Sequence, residues 1–378
     1  MVHRRHRISA ALVVSIALLA MTSATAHAGT VRTWGDNAYG QLGDGTFTRR
    51  LTAVAVKGLS GVIQLHGGRE HVVALKGDGT VWTWGRNVYG QLGIGNTTNE
   101  NVPVRVPGIT DAIQVTTGHY TSFALLGNGT VKAWGWNVYG TIGDGTTTRR
   151  TSPVTVHGLT GVVEIAAGRD HSLALKANGT VWAWGYNAYG NLGDGTFTQR
   201  AEPVKVDLLT NVTHIAGGRD HSLAIRKDGS VWAWGFNQGG ELGDGTKTNR
   251  NRPVQTRTIN DAIDVAAGAN HSLAIRSDHT LWAWGQNDYG QLGLGTSTST
   301  YASPARVSSL SGVAEVGAGR QHTIVVLRDG SVWAFGQNDV GQLGDGSLTT
   351  RRSPVRVPGV SGAVESAGGR GYGVVLIG

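Results

Sequence analysis

The chain has 378 residues, 59 of them glycine, a net charge of +8 and no cysteine. Disulfide staples, cysteine nucleophiles and thiolate metal sites are thereby excluded. The charge is mild, +5 without the three arginines of residues 1–28, and does not by itself call for nucleic acid.

Residues 1–28 read as a secretory signal. His3 to Arg7 form a basic start, "ISAALVVSIALLAM" is an apolar stretch short for a membrane span, and "AHA" at Ala26–Ala28 is a small-residue cleavage site. Cleavage between Ala28 and Gly29 is expected; an uncleaved anchor is the alternative. Arg4 and Arg5 resemble a twin-arginine pair, but Arg7 stands where a hydrophobic residue should follow, which favours general secretion. The expected product is an exported domain of residues 29–378, with no further run apolar enough to cross a membrane.

From Gly29 onward one phrase recurs. Its Trp falls at 34, 84, 134, 184, 234 and 284, a period of 50, and Phe335 arrives one residue late after a longer loop. Such a period means stacked or radial repeats. One unit, residues 161–206, holds an apolar run "VVEIAA" (strand A), an alternating "HSLALK" (B), an Asn-Gly hairpin signal, an alternating "TVWAW" (C), a long glycine-rich loop and "PVKV" (D). No helical period is present. Seven units of four antiparallel strands predict an all-β, seven-bladed β-propeller. The expected mature start, "GTVRTWG", matches strand C, and the end, "GRGYGVVLIG", matches strand B. One blade must therefore take two strands from each end of the chain, which closes the ring and leaves no open sheet edge.

Alternating strand direction places the A–B corner ("GRD") and the long C–D loop on one side of the disc, the loop face. The B–C turn and D–A link fall on the other side. The repeated tryptophans are expected in the core, with Ala74, Ala124, Ala174, Ala224 and Ala274 as small partners. His71, His171, His221, His271 and His322 recur once per blade. Neighbouring blades are about 10 Å apart, too far to share one zinc, so these are expected to be structural hydrogen bonders. Asp44, Asp144, Asp194, Asp244 and Asp345 are each followed six residues later by Arg50, Arg150, Arg200, Arg250 and Arg351. Where the acid is Ile94 or Leu294, the arginine is also missing, so each pair is expected to clamp its own loop. A calcium loop lacks the acidic density it needs here. Asn37 and its equivalents are expected to bond their own backbone two residues on, in turns.

Function on a repeat protein sits where copies diverge on one face. After "WG" three consecutive blades carry Trp136, Tyr186 and Phe236, an aromatic arc that Tyr120 extends. The corner position reads Arg69, His119, Arg169, Arg219, Ala269, Arg320 and Arg370, a ring of cations blunted by Glu70, Asp170 and Asp220.

"GRDHSLAL" followed by "GTVWAWGYNAYGNLGDGT" resembles the regulator of chromosome condensation repeat family, over nearly all of residues 29–378. The resemblance implies a seven-bladed propeller. It also brings guanine-nucleotide exchange activity into view, but such relatives carry an inserted wedge, and the constant spacing here leaves no room for one. Arg69, Arg169 and Arg219 stand where the family's ultraviolet photoreceptor has tryptophan. A secreted relative that inhibits β-lactamases binds through loop-face aromatics and is the nearer parallel. With no catalytic constellation, no cofactor and no metal site in view, the expectation is a secreted, monomeric, non-enzymatic binding module. Its partner would be an extracellular or cell-surface protein, for which an acidic one is the better match; cell-wall polysaccharide is the alternative. Nucleic acid is not expected, nor membrane after cleavage.

Overall fold

The computed structural model describes residues 29–378. The expected signal and its cleavage at Ala28 lie outside the described residues. Twenty-eight strands, β1–β28, form seven four-stranded antiparallel sheets. A complete blade runs β3 (Val62–Gly67), β4 (His71–Lys76), β5 (Val81–Gly85) and β6 (Glu100–Arg105), as strands A to D. The closing blade orders β2 (Arg50–Ala55), β1 (Thr30–Gly35), β28 (Tyr372–Ile377) and β27 (Ala363–Gly368). Its central seam is a continuous register from Thr30 opposite Ile377 to Gly35 opposite Tyr372.

The B–C turn of each blade needs a left-handed residue. Gly179 supplies it at φ 75°, whereas His279 occupies the same place at φ 61°. Strand D starts earlier than the proline expected to open it: it begins at Arg200, because Gly185 pairs with Arg200 across a bulge.

The core lies between blades rather than within them. One cluster takes Val73, Leu75 and Val81 from one blade and Ala112, Val115, Ala124 and Trp134 from the next. All six repeated tryptophans are fully buried. Each also reaches across the boundary: Trp84 Nε1 donates to the Gln41 carbonyl at 3.0 Å and Trp184 Nε1 to that of Thr141 at 2.8 Å. Gly43, at φ 64°, lets Trp84 come close; a Cβ there would sit 2.8 Å from the indole nitrogen. The expected small partners share these clusters, as Ala74 does with Trp84 and Ala174 with Trp184. Truncating such a tryptophan should cost on the order of 3–5 kcal/mol.

Candidate functional site

The A strands surround a central channel, and the A–B corners form its mouth on the loop face. Each corner is tightened by a backbone bond such as Gly68 N–H to the His71 carbonyl, 2.8 Å. The corners then bond to one another around the axis. The amide of Arg69 donates to His119, that of His119 to Arg169, that of Arg169 to Arg219, and that of Arg219 to Gly268. Ala269 donates to Arg320, Arg320 to Gly369, and Arg370 back to Arg69 at 2.9 Å. Backbone donors at the mouth are therefore consumed by the ring, and its chemistry falls to side chains.

Those side chains enclose about 270 Å³. Arg169 pairs with Asp170 at 2.6 Å and Asp220 at 3.1 Å, and Arg219 lies 3.2 Å from Asp220. Glu70 serves three cations: Arg86 at 2.6 Å, Arg370 at 3.2 Å and Arg69 at 3.3 Å. Burial pushes the Asp170 and Asp220 carboxyls up, against the opposing pull of the arginines. His119 departs from its expected place in the cation ring. Burial, then the charges of Arg69, Arg169, Arg219 and Arg320, pull its pKa down to about 2, so it is neutral at physiological pH.

Trp136, Tyr186 and Phe236 are half-buried. They are held by the tyrosines of the preceding blades, which the sequence did not single out. Tyr89 packs on Trp136 with centroids 4.5 Å apart, Tyr139 on Tyr186 at 4.9 Å, and Tyr189 on Phe236 at 5.0 Å. One blade earlier, Tyr39 faces Arg86 instead, 4.6 Å from its ring centroid. Tyr120 joins the arc at the Trp136 end through Tyr89, 4.8 Å away, with Arg69 and Arg86 over its ring. The clue was available: each tyrosine precedes the next blade's variable position by 47 residues. Phe47 and Phe197, both 58% exposed at C–D loop tips, add two further aromatics to the loop face.

Under this surface the C–D loops are pinned. The Asp–Arg pairs span 2.8 Å (Asp44–Arg50), 2.6 Å (Asp144–Arg150), 3.1 Å (Asp194–Arg200), 3.0 Å (Asp244–Arg250) and 2.9 Å (Asp345–Arg351). The repeated asparagine does not make the short turn expected of it. Asn37 is a fully buried hub: Nδ2 donates to Asp44 and to the carbonyls of Thr46 and Thr48, while Oδ1 accepts from Leu42 N. The loop is too long for a two-residue turn to organise, and the buried amide has four bonds to satisfy.

The repeated histidines are buried between blades. His71, His171 and His221 meet Ser122, Ser222 and Ser272 at 3.0, 2.8 and 2.9 Å, and His271 meets Thr323 at 3.1 Å. Gly373 stands where a hydroxyl would face His322, whose ring nitrogens have no hydrogen-bond partner. Among the described residues no group of three His, Asp or Glu is placed to hold a metal.

Deeper in the channel is a ring not foreseen in the sequence. The third residue of each A strand points inward: Gln64, Gln114, Glu164, His214, Asp264, Glu315 and Glu365, around about 310 Å³. Gln64 and Gln114 accept the amides of Val115 and Ile165 at 2.8 Å, capping neighbouring edge strands. His214 bridges Glu164 at 2.7 Å and Asp264 at 3.2 Å, and those carboxylates hold its pKa well above the usual value despite burial. Burial pushes Glu365 up to about 8. The axis is thus cationic at the loop-face mouth, whereas the carboxyls below it are either paired with His214 or pushed towards their neutral form by burial. The turn face carries its own half-exposed aliphatics, among them Ile63, Ile113, Val163, Ile263 and Val364.

This architecture has known counterparts. A model of the RCC1-like domain matches residues 156–376, and the regulator of chromosome condensation (RCC1) repeat matches 28–75, 78–125 and 128–175. That repeat frame starts at the B–C turn, the same point at which the closing blade is divided. Among solved structures, Prp20p from Saccharomyces cerevisiae, described with its binding properties to Gsp1p and histones, is 23% identical with a TM-score of 0.84. The match covers 92% of this chain and 91% of that one. Yeast RCC1 (Prp20), solved with Kap60, is 22% identical with a TM-score of 0.85, covering 100% and 95%. Human WBSCR16 is 24% identical with a TM-score of 0.81, covering 93% and 99%.

Proposed function

The chain belongs to the family of regulator of chromosome condensation repeats, and on that premise we propose that it is an exported, non-enzymatic propeller that binds a protein partner through its loop face. The observation that carries this reading is the arc. Trp136, Tyr186 and Phe236 keep exposed edges while tyrosines of neighbouring blades fix them in place. Rigid, part-exposed aromatics lose little entropy on binding and are favoured anchors. Protein ligands also suit this shape in Prp20p, whose binding to Gsp1p and histones was described with its structure.

The arginines of the mouth lie beside the arc and would steer an acidic partner. An exchange-factor reading has less support. The blades repeat the same four strands and loops, apart from one extra residue before Tyr301, so among the described residues nothing projects as a wedge. Export follows from the segment ending at Ala28, with residues 29–378 as a single monomeric domain.

The test is capture from the host's secreted and cell-wall fractions. The chain from Gly29 is used beside a Trp136→Ala, Tyr186→Ala, Phe236→Ala variant. A protein held by the first and lost by the second supports the reading. Equal retention moves the site off the arc, and retention of polysaccharide alone replaces protein binding with wall binding. N-terminal sequencing of the exported protein checks cleavage before Gly29.

A further inference from the structure

We propose that the loop-face mouth of the channel is a binding site for a multivalent oxyanion of the phosphate type, seated on the axis against Arg69, Arg320 and Arg370. This rests on the loop face being the binding face, but it uses a site separate from the aromatic arc.

Charge does not balance at the mouth. The five corner arginines and Arg86 share only three carboxylates, Glu70, Asp170 and Asp220. The imbalance is lopsided. Past Asp220 the acidic position of the corner becomes Asn270, then Gln321, then Gly371. Arg320, in this sector, makes no ion pair among the described residues. Arg370 has only Glu70, which already binds Arg86 more closely. Asp36, beside Gly371, is held by Gln41 Nε2 at 2.9 Å. Burial and the charges of Arg370, Arg219 and Arg69 together lower the pKa of Arg320, which places these guanidiniums within reach of one another's fields.

A cavity of about 270 Å³ holds a small polyanion. Guanidiniums offer paired N–H donors matched to its oxygens. The ring amides are already bonded, so the arginines alone read the ligand. The excess of cations asks for more charge than one carboxylate carries. The ring below offers an anion no unpaired cation among the described residues, since its His214 is already held between Glu164 and Asp264, so nothing there draws the ligand deeper. The mouth is therefore a seat, not a passage. His119, neutral among four arginines, is a built-in reporter: an anion beside it must raise its pKa.

The test is calorimetric titration of the chain from Gly29 at low salt with pyrophosphate and, separately, with a phosphoserine peptide. An Arg320→Gln, Arg370→Gln variant, checked for folding by circular dichroism, is run alongside. Expected are one equivalent bound per chain, affinity about tenfold or more weaker in the variant, and a His119 NMR titration shifted to higher pH. Tighter binding of the peptide would identify a protein-borne phosphate as the source; tighter pyrophosphate would identify a free anion. No saturable binding of either, equal binding by the folded variant, or acetate binding as tightly as pyrophosphate would overturn the proposal. The Trp136→Ala, Tyr186→Ala, Phe236→Ala protein should still bind the anion, so failure of the arc and failure of the anion seat give different results.

Discussion

Tyr89 of one blade lies edge-on to Trp136 of the next, ring centroids 4.5 Å apart at 63°. The tyrosine thus sets the position of an anchor it does not adjoin in sequence. Tyr189 does the same for Phe236. Replacing Tyr189 with Ala should weaken partner capture nearly as much as Phe236→Ala, while costing about 0.5–1.5 kcal/mol of stability. Capture and thermal melts of the two variants check this. Full capture by Tyr189→Ala would leave the tyrosines as packing alone.

The loop at Ile94 lacks an Asp–Arg clamp. Its neighbours carry Asp–Arg pairs in which the arginine is about one-third exposed, so each pair is worth a modest amount. Ile94→Asp with Glu100→Arg should be more stable than the sum of the single changes by about 1 kcal/mol. A double-mutant cycle in urea measures that coupling, and a coupling near zero would deny the clamp its role.

His171 and His322 occupy equivalent sites with unequal partners. His171 meets Ser222 at 2.8 Å, whereas His322 faces Gly373 and its ring nitrogens find no hydrogen-bond partner. Changing His171 to Leu should cost about 1 kcal/mol more than changing His322 to Leu, the net worth of one hydrogen bond. Equal costs in chemical denaturation would show that the Ser222 bond contributes nothing.

Acid should destabilise the propeller well above the carboxylate range. Burial pulls His71, His171, His221 and His271 down to about 3. Their unfolded counterparts titrate at about 6.5. Between those values the unfolded chain binds protons that the folded chain refuses, so stability rises with pH across that window. Glu365 opposes this. Burial raises it from 4.5 to about 8, so its contribution is present below 4.5 and is lost as pH rises towards 8. Glu241, Glu315 and His214 are raised as well, but the lowered histidines, with His66, His119 and His322 added, outnumber them, and the urea midpoint should be lower at pH 5 than at pH 7. Glu365→Gln should flatten the decline on the alkaline side. A midpoint unchanged from pH 5 to pH 7 would contradict the buried neutral imidazoles.

Leu208 sits at φ 56° and is 79% exposed, in a link where Gly58, Gly158 and Gly359 have φ of 69°, 64° and 71°. A side chain in that backbone region costs about 1–2 kcal/mol, and Leu208 buries little to offset it. Leu208→Gly should raise stability by about 1 kcal/mol, less the extra freedom of glycine in the unfolded chain. A fall in melting temperature would count against this.

The blades, their order and the closing seam were legible because period-two strands and a fixed repeat leave few alternatives. The Asp–Arg pairs were legible because Ile94 and Leu294 lose the acid and the arginine together. The tyrosine supports were not, since Tyr39, Tyr89, Tyr139 and Tyr189 look like shared scaffold until the blade boundary brings each to a variable neighbour. The channel ring was hidden by its setting: one polar residue in an apolar strand, such as Glu164 in "VVEIAA", reads as a blemish until seven of them face one axis. His119 misled for a related reason, because sequence gives its type but not the four arginines that suppress its charge.

The division of the closing blade sets how the molecule can be held. Thr30 lies opposite Ile377 and Gly29 bridges to Val62, so the first and last described strands meet side by side at the underside of the disc. A linker, a surface anchor or a fused domain joined at either end would grip the plate from beneath, like a stem. The arginine mouth and the aromatic arc would then face outward, unobstructed, whichever end carried the attachment.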